Sequence, residues 1–476
     1  MKRLRATRLG RAALLLPMLL ASACAAVPDL GAKPIPAAAS SYASAQSLTG
    51  SQASWPADGW WKAYKDPQLD RLIGEGLAGS PDLAAAAARF RTAQGLAQQA
   101  GAALLPSLDA TASVDYQNQS QNIAGANGRV PSGWHATGTT GLSLNFDLDL
   151  FGKNRAALRA AKKDAEAARY DADEARLLLT TGIASTYSDV AALYAQRDSL
   201  QSALDIRSQT LKLVQQRFDA GIANQSELEQ AKARIPQTRA DLAATDEAIM
   251  LDKHALAALA GAGPDRALTI GRPAAGALQA QGLPADASIN LIGRRPDIAA
   301  ARTRVEASAE RIREARAAFY PNINIGALIG FQSLGLSSLF NSGSQFASVS
   351  PAVTLPLFHG GALQGQYRGR RGQYDEAVAY YDGQVIQALR ETADTVTSQK
   401  SLVDRLAQSR SALASYETAL RLAQRRYENG LSTYIDVLTA QESVVNARLT
   451  VAQLEARAFT LDVQLVRALG GGFVTA

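Results

Sequence analysis

RYENGLSTYID, Arg426 to Asp436, joins two long amphipathic segments, and RFDAGIANQSE, Arg217 to Glu227, lines up with it at a constant separation of 209 residues. Each copy opens on an arginine and an aromatic, passes an acid and reaches a glycine, Gly430 or Gly221, followed by an apolar residue, Leu431 or Ile222. Each then closes on a polar residue three before an acid: Thr433 with Asp436, Asn224 with Glu227. Glycine ends a helix readily, and a polar cap followed by an acid starts one. Two copies of one hairpin tip predict a duplicated architecture.

The segments on either side repeat as well. Gly152 to Phe218 and Gly361 to Tyr427 are proline-free and rich in alanine, leucine, glutamine and charge, so each predicts one helix of about 100 Å at 1.5 Å per residue. Ile183, Tyr187, Val190 and Tyr194 mark the apolar stripe of the first, while Leu406, Leu413, Leu420 and Tyr427 recur every seven residues in the second, as in a coiled-coil seam. Shorter returning helices follow each tip, and Pro236 is expected to kink the first of them, a locally frayed break being the alternative. Ser80-Pro81-Asp82 and Arg295-Pro296-Asp297 open two further helices, stopped by Pro106 and Pro321.

After each of those stops the apolar period changes to two. Leu108, Ala110, Ala112, Val114 and Tyr116 alternate with polar residues. So do Leu142, Leu144, Phe146, Leu148 and Leu150 against Ser143, Asn145, Asp147 and Asp149. The second half gives Ile323, Ile325, Ala327, Ile329 and Phe331, then Val349, Val353, Leu355 and Leu357. Strands of roughly nine to eleven residues with one apolar and one polar face suit a bilayer-crossing barrel, although a half-buried soluble sheet alternates in the same way. Four strands fall short of the roughly eight a membrane barrel needs, so closure requires several chains.

The predicted layout is a signal peptide over 1–23 and a tether over 24–54. A first repeat over 55–260 holds helix 81–103, strands 107–117 and 140–150, and helices 152–218 and 225–259. A connector over 261–290 precedes a second repeat over 291–471, with helix 296–318, strands 322–332 and 346–357, and helices 361–428 and 433–469. A short tail, 472–476, ends the chain. The leader carries Lys2, Arg3, Arg5, Arg8 and Arg11, then an apolar run and the small residues Ala21, Ser22 and Ala23 before Cys24. This resembles a bacterial lipoprotein signal in which Cys24 is acylated. The match departs from the pattern at Ala21, where leucine is usual, and ordinary signal peptidase would accept the same small residues.

Cys24 is the one cysteine in 476 residues, so no internal disulfide framework and no multi-cysteine metal site is available. Of 49 basic residues five lie in the leader, leaving 44 against 43 acids, which argues against nucleic acid as a partner. His135, His254 and His359 show no spacing for a metal or a catalytic triad, and no phosphate-binding glycine loop occurs. No catalytic, cofactor-binding or metal-ligating residues are therefore assigned. Trp55, Trp60 and Trp61 cluster as residues that pack against a partner surface do.

WWKAYKDPQLDRLI from Trp60, SPDLAAAAARFRTAQ from Ser80, FDLDLFGKNRAALRAA from Phe146, RFDAGIANQSELEQA, RRPDIAAARTRVEA from Arg294, FYPNINI from Phe319 and RYENGLSTYIDVLTAQ together resemble the recurrent blocks of the TolC family of outer-membrane efflux factors, in its NodT and OprM lipoprotein branch. The resemblance covers the chain from about Trp60 to Gly471. The resemblance implies a mixed α and β membrane protein in which each strand hairpin is paired with a long helical hairpin. It also implies a homotrimer, whose twelve-stranded outer-membrane β-barrel continues as a periplasmic α-helical coiled-coil tunnel. The partners implied are outer-membrane lipid, a periplasmic adaptor (membrane fusion protein) and an inner-membrane pump of RND type. The chain itself would be a passive exit duct for drugs or small toxic compounds, not an enzyme. Gly221, Ile222, Gly430 and Leu431 match the tips that contact the adaptor, and Asp436 matches an acid that rings the periplasmic aperture. Carboxylates gathered on a threefold axis would favour cations, and protonation or adaptor binding would shift the closed-to-open balance. Asp436 is equally placed to cap a helix. Ser432 stands where relatives carry an arginine and Thr439 where a second acid occurs, so a lock made of those pairs is not expected. A periplasmic lipid-anchored adaptor or scaffold without a pore is the alternative, but it has no need of two strand pairs with apolar faces.

Overall fold

The computed structural model describes residues 26–38, 41–44, 46–48, 53–118, 133–274, 284 and 291–475. Cys24 and the leader lie outside them, as do 119–132 of the first strand loop and most of the connector. The helices are α1 (Pro67–Gly79), α2 (Pro81–Ala102), α3 (Lys153–Asp219), α4 (Gln225–Leu259), α5 (Pro296–Ala317), α6 (Ala362–Glu428) and α7 (Tyr434–Ala468). Duplication holds to the residue: α2 and α5 have 22 residues each, α3 and α6 have 67, and α4 and α7 have 35. Among the described residues no helix is long and apolar enough to cross a membrane. The chain divides into two compact units, 1–36 with 89–168 and 301–381, and 37–88 with 169–300 and 382–476.

The first unit holds β1 (Ser107–Asn118), β2 (Trp134–Asp147), β3 (Asn322–Leu334) and β4 (Gln345–Thr354), one antiparallel sheet in the order β1-β2-β3-β4. The two halves of the sequence thus meet at the β2–β3 ladder. Register keeps polarity on one face across all three ladders. Leu108 faces Leu144, Ala110 faces Leu142, Leu142 faces Ile329, Phe146 faces Ile325 and Ile323 faces Val353. On the other side Asp109 faces Ser143, Asp115 faces Thr137 and Gly326 faces Ser350. Away from the β3–β4 connection the described residues leave the apolar face uncovered: Leu108 is 64% exposed, Ile329 62% and Val349 73%. Gly141 pairs directly with Gly330, and a Cβ on Gly330 would stand 2.2 Å from the Thr140 carbonyl oxygen, so the strands approach here only because both side chains are missing.

Two strand ends differ from the periodicity. β2 starts at Trp134 rather than 140, because Ala136-Thr137-Gly138-Thr139 pairs through its backbone without an apolar alternation to announce it. It stops at Asp147, although the pattern runs on to Leu150. Asp149 has a left-handed backbone (φ 44°), and its buried carboxylate accepts hydrogen bonds from the backbone N–H of Asn154 (2.8 Å) and Arg155 (2.9 Å), so it caps α3 instead of facing a polar lumen. β4 ends at Thr354, before Leu355 and Leu357, since Pro356 has no N–H to extend the ladder. Part of the tether is held against the start of α6: Arg371 donates to the Gly31 carbonyl (3.2 Å) and the Tyr374 hydroxyl to that of Pro34 (3.0 Å).

In the second unit Trp60 and Trp61 are buried with Tyr64, Leu69, Ile73, Ile183, Tyr187 and Phe459. The tryptophans fill this chain's own core, not a partner surface. Of the three, Trp55 lies apart from that cluster, under the Arg294 guanidinium at 4.9 Å. The Tyr187 hydroxyl donates to Asp66 (2.6 Å), whose carboxylate also caps α1 through Gln68 N–H (2.9 Å). The heptad seam of α6 packs where expected: half-buried Leu406 lies against Leu402, Leu454 and Leu461, and half-buried Leu413 with buried Leu420 and Tyr427 lies against Val214, Leu228 and Tyr434. α4 continues through Pro236 without a break, its flank held by buried Ala231, Thr238 and Leu242. Both returning helices end on a left-handed glycine seated against a distant backbone. A Cβ on Gly261 would lie 2.3 Å from the Gly79 carbonyl oxygen, and one on Gly470 1.8 Å from that of Arg294.

Candidate functional site: the hairpin tips

Both tips are built by one backbone device. At the end of α3, Ile222 N–H bonds the Arg217 carbonyl (2.8 Å) and Gly221 N–H that of Phe218 (2.9 Å). At the end of α6, Leu431 bonds Arg426 (2.7 Å) and Gly430 bonds Tyr427 (3.0 Å). This paired closure needs a residue at positive φ, and the glycines supply it at 71° and 74°. The next residue is thrown outward in each case: Ile222 is 64% exposed and Leu431 69%. The four tip residues singled out by sequence thus present two apolar side chains on rigid turns.

The helices that return are started differently. Asn224 Oδ1 accepts from Glu227 N–H (2.9 Å). In the second tip the acid reaches back, with Asp436 Oδ2 accepting from both the N–H and the hydroxyl of Thr433 (2.9 Å each). Those two bonds, the backbone one first, hold the Asp436 carboxyl below the usual carboxylate range although the group is exposed. Thr439 and Ser432 take no part: the Thr439 hydroxyl donates to the Ile435 carbonyl (2.8 Å).

The contact that sequence reading missed joins the tips. Arg217 lies over the Tyr427 ring at 4.4 Å and donates to the Tyr427 carbonyl (2.6 Å) and the Glu428 carbonyl (3.3 Å), a cation on the negative end of the other helix. Its signal was the arginine heading both repeats, of which only this one crosses over. Beneath it, Tyr427 and Tyr434 are buried against each other at 6.1 Å. Burial, then the Glu227 carboxylate, pushes the Tyr427 phenol up. Buried Arg207 reaches Glu442 (2.7 Å) and Thr238, and Gln441 bonds Thr210, so the seam below the tips is polar as well as apolar. Cys24, the remaining assigned residue, lies outside the described residues.

The multidrug resistance outer membrane protein MdtP of Escherichia coli O6:H1 is 32% identical over 432 residues, spanning 89% of this chain and 88% of its own. The cation efflux system protein CusC of Escherichia coli O157:H7 is 29% identical across 96% of this chain and 98% of its own. The crystal structure of the outer membrane protein VceC from Vibrio cholerae superposes with a TM-score of 0.84 at 42% identity, covering 88% of this chain and 100% of that one. The model of the outer membrane efflux protein family matches residues 72–262 and 289–471, the two halves of the duplication. The chain is a member of the outer membrane efflux protein family, whose members are efflux channels of the outer membrane.

Proposed function

We propose that three copies of this chain close into a twelve-stranded barrel and a helical tunnel, forming the exit duct of a tripartite efflux system. The observation that carries this reading is the sheet. Its ladders match polar with polar and apolar with apolar across four strands, its apolar face is uncovered, and β1 and β4 each keep one edge unpaired within the described residues. An apolar face and two open edges are tolerable together only if lipid takes the first and neighbouring copies take the second. Three copies give about twelve strands, above the roughly eight needed for closure.

In this reading the tips form the periplasmic mouth. Gly221, Ile222, Gly430 and Leu431 meet the helical hairpins of an adaptor, and Asp436 contributes one of three carboxylates around the aperture. Cys24 is acylated, placing the tether at the inner surface of the outer membrane. An inner-membrane pump of RND type supplies energy, and drugs or other small toxic compounds pass through. Extraction from membranes only by detergent, as an oligomer whose gel mobility changes on heating, is the expected outcome. A monomer released by salt or urea would refute the barrel. Labelling with a palmitate analogue that is lost in Cys24→Ala tests the anchor.

A further inference from the structure

The apolar face of the sheet carries a groove of about 650 Å³, lined by Ala110, Leu142, Ile329, Phe331, Phe340 and Ala347 and floored in part by the backbone of Gly141 and Gly330. Among the described residues no charged side chain lines it, and Thr140 and Gln345 are its polar members. Its roof comes from the β3–β4 connection. Phe340 packs on Phe331 with ring centroids 5.6 Å apart, yet stays 74% exposed. Leu336 and Leu339 lie over Gly138, where a Cβ would meet them at 3.0 and 3.3 Å, on the face that Leu142 shares. The connection therefore folds its large apolar side chains down onto the outward face and not away into water.

We infer that this groove holds one acyl chain of a membrane glycerophospholipid, gripped by its tail. The inference rests on the reading that this face of the sheet meets hydrocarbon. Water is a poor occupant: at about 30 Å³ per molecule some twenty waters would fill it, with two polar side chains to bind them. The Ser333 hydroxyl donates to the Gly335 carbonyl (2.7 Å), Ser344 to that of Ser338 (2.7 Å) and Ser338 to that of Leu334 (3.3 Å), so these hydroxyls are satisfied within the connection. Residues 335–344 include no cation, so a headgroup with several phosphates finds no counter-charge there. Tail recognition of a zwitterionic lipid fits that lining.

The full-length channel, purified in detergent, stripped of lipid and incubated with palmitoyl-oleoyl phosphatidylethanolamine, is passed through gel filtration, and the lipid retained per chain is counted by mass spectrometry. About one is expected for the natural protein. Ala347→Phe, which fills the groove, should lower retention at least tenfold. Val114→Phe, on the same face outside the lining, should leave it unchanged. No retained lipid in the natural protein, or equal retention in all three, overturns the inference. Membrane flotation beforehand separates the two readings: a chain that does not float overturns the barrel as well, whereas a floating trimer without bound lipid overturns the groove alone.

Discussion

Glu174 of α3 offers a quantitative test of the electrostatics in the helical unit. Arg295, buried in the same unit, spends its guanidinium on Asp297 (2.7 and 3.0 Å), Glu391 (2.9 Å) and the Ala468 carbonyl (3.3 Å). Glu174 faces this group as a third carboxylate. Burial, then the Asp297 charge, lifts its carboxyl from 4.5 to about 7; Arg295 and Arg467 oppose the shift and Glu391 adds to it. A raised carboxyl means that ionisation costs the folded state. As pH climbs from 4.5 to 7 the unfolded chain releases its proton while the folded one keeps it, so stability falls, and above 7 the loss is constant. The shift from 4.5 to about 7 corresponds to roughly 3 kcal/mol at about 1.4 kcal/mol per pH unit. Glu174→Gln removes it. At pH 8 the variant should be more stable by about 3 kcal/mol, and at pH 5 by under about 1 kcal/mol. With unfolding entropy near 2.1 cal/mol/K per residue, a chain this long melts about 3 °C higher for that gain. Circular dichroism melts of both proteins at the two pH values read the difference. An equal gain at both, or a loss at pH 8, would show that Glu174 is not held neutral by its neighbours.

Three further outcomes follow from the geometry. Gly330→Val drives a side chain into the Thr140 carbonyl, so heat-modifiable oligomer in the outer membrane should drop at least tenfold, while Gly326→Val, whose Cβ would clear the nearest backbone by 3.6 Å, should assemble far better. Arg217→Met keeps the stem over Tyr427 but loses the hydrogen bonds to two carbonyls, a cost of about 1 to 3 kcal/mol; faster amide exchange confined to the α3–α4 and α6–α7 turns is expected, with Arg217→Lys intermediate. Asp436→Ala should raise single-channel conductance or lower cation selectivity, and unchanged values in both would leave Asp436 as a helix cap alone.

The duplication was legible because helices of 22, 67 and 35 residues recur in order, each bounded by proline or glycine. The faces of the sheet were legible because side chains alternate strictly in strands. The strand ends were not. Asp147-Leu148-Asp149-Leu150 keeps its period of two through a turn, and what ends the strand is the affinity of Asp149 for the free N–H groups of α3, a contact between elements. Trp60 and Trp61 show the same limit: composition marked them as large surfaces needing cover, but whether cover comes from this chain or another depends on where α3 and α7 pass. At the tips, glycine and cap positions were readable as local chemistry, whereas Arg217 on Tyr427 joins residues 210 apart in the chain.

Asp436 brings these levels together. As a cap it is pinned, since one carboxylate oxygen takes both Thr433 bonds, and the pinning fixes where its charge stands on the first turn of α7. The same bonds favour the ionised form, so within one chain the group stays charged until the pH falls below the usual carboxylate range. The helix start is correspondingly stabilised above that range and loosened only in acid. Protonation is then a weak trigger for an aperture at neutral pH unless neighbouring copies raise the group again by like-charge repulsion. In the proposed trimer the opposing terms would act on different structures: the cap on each chain, the repulsion on the ring. Drawing the tips apart weakens the repulsion and leaves the cap intact. In the proposed assembly an adaptor seated on Ile222 and Leu431 would thus have a lever that acid lacks, because it would relieve the ring without breaking the cap.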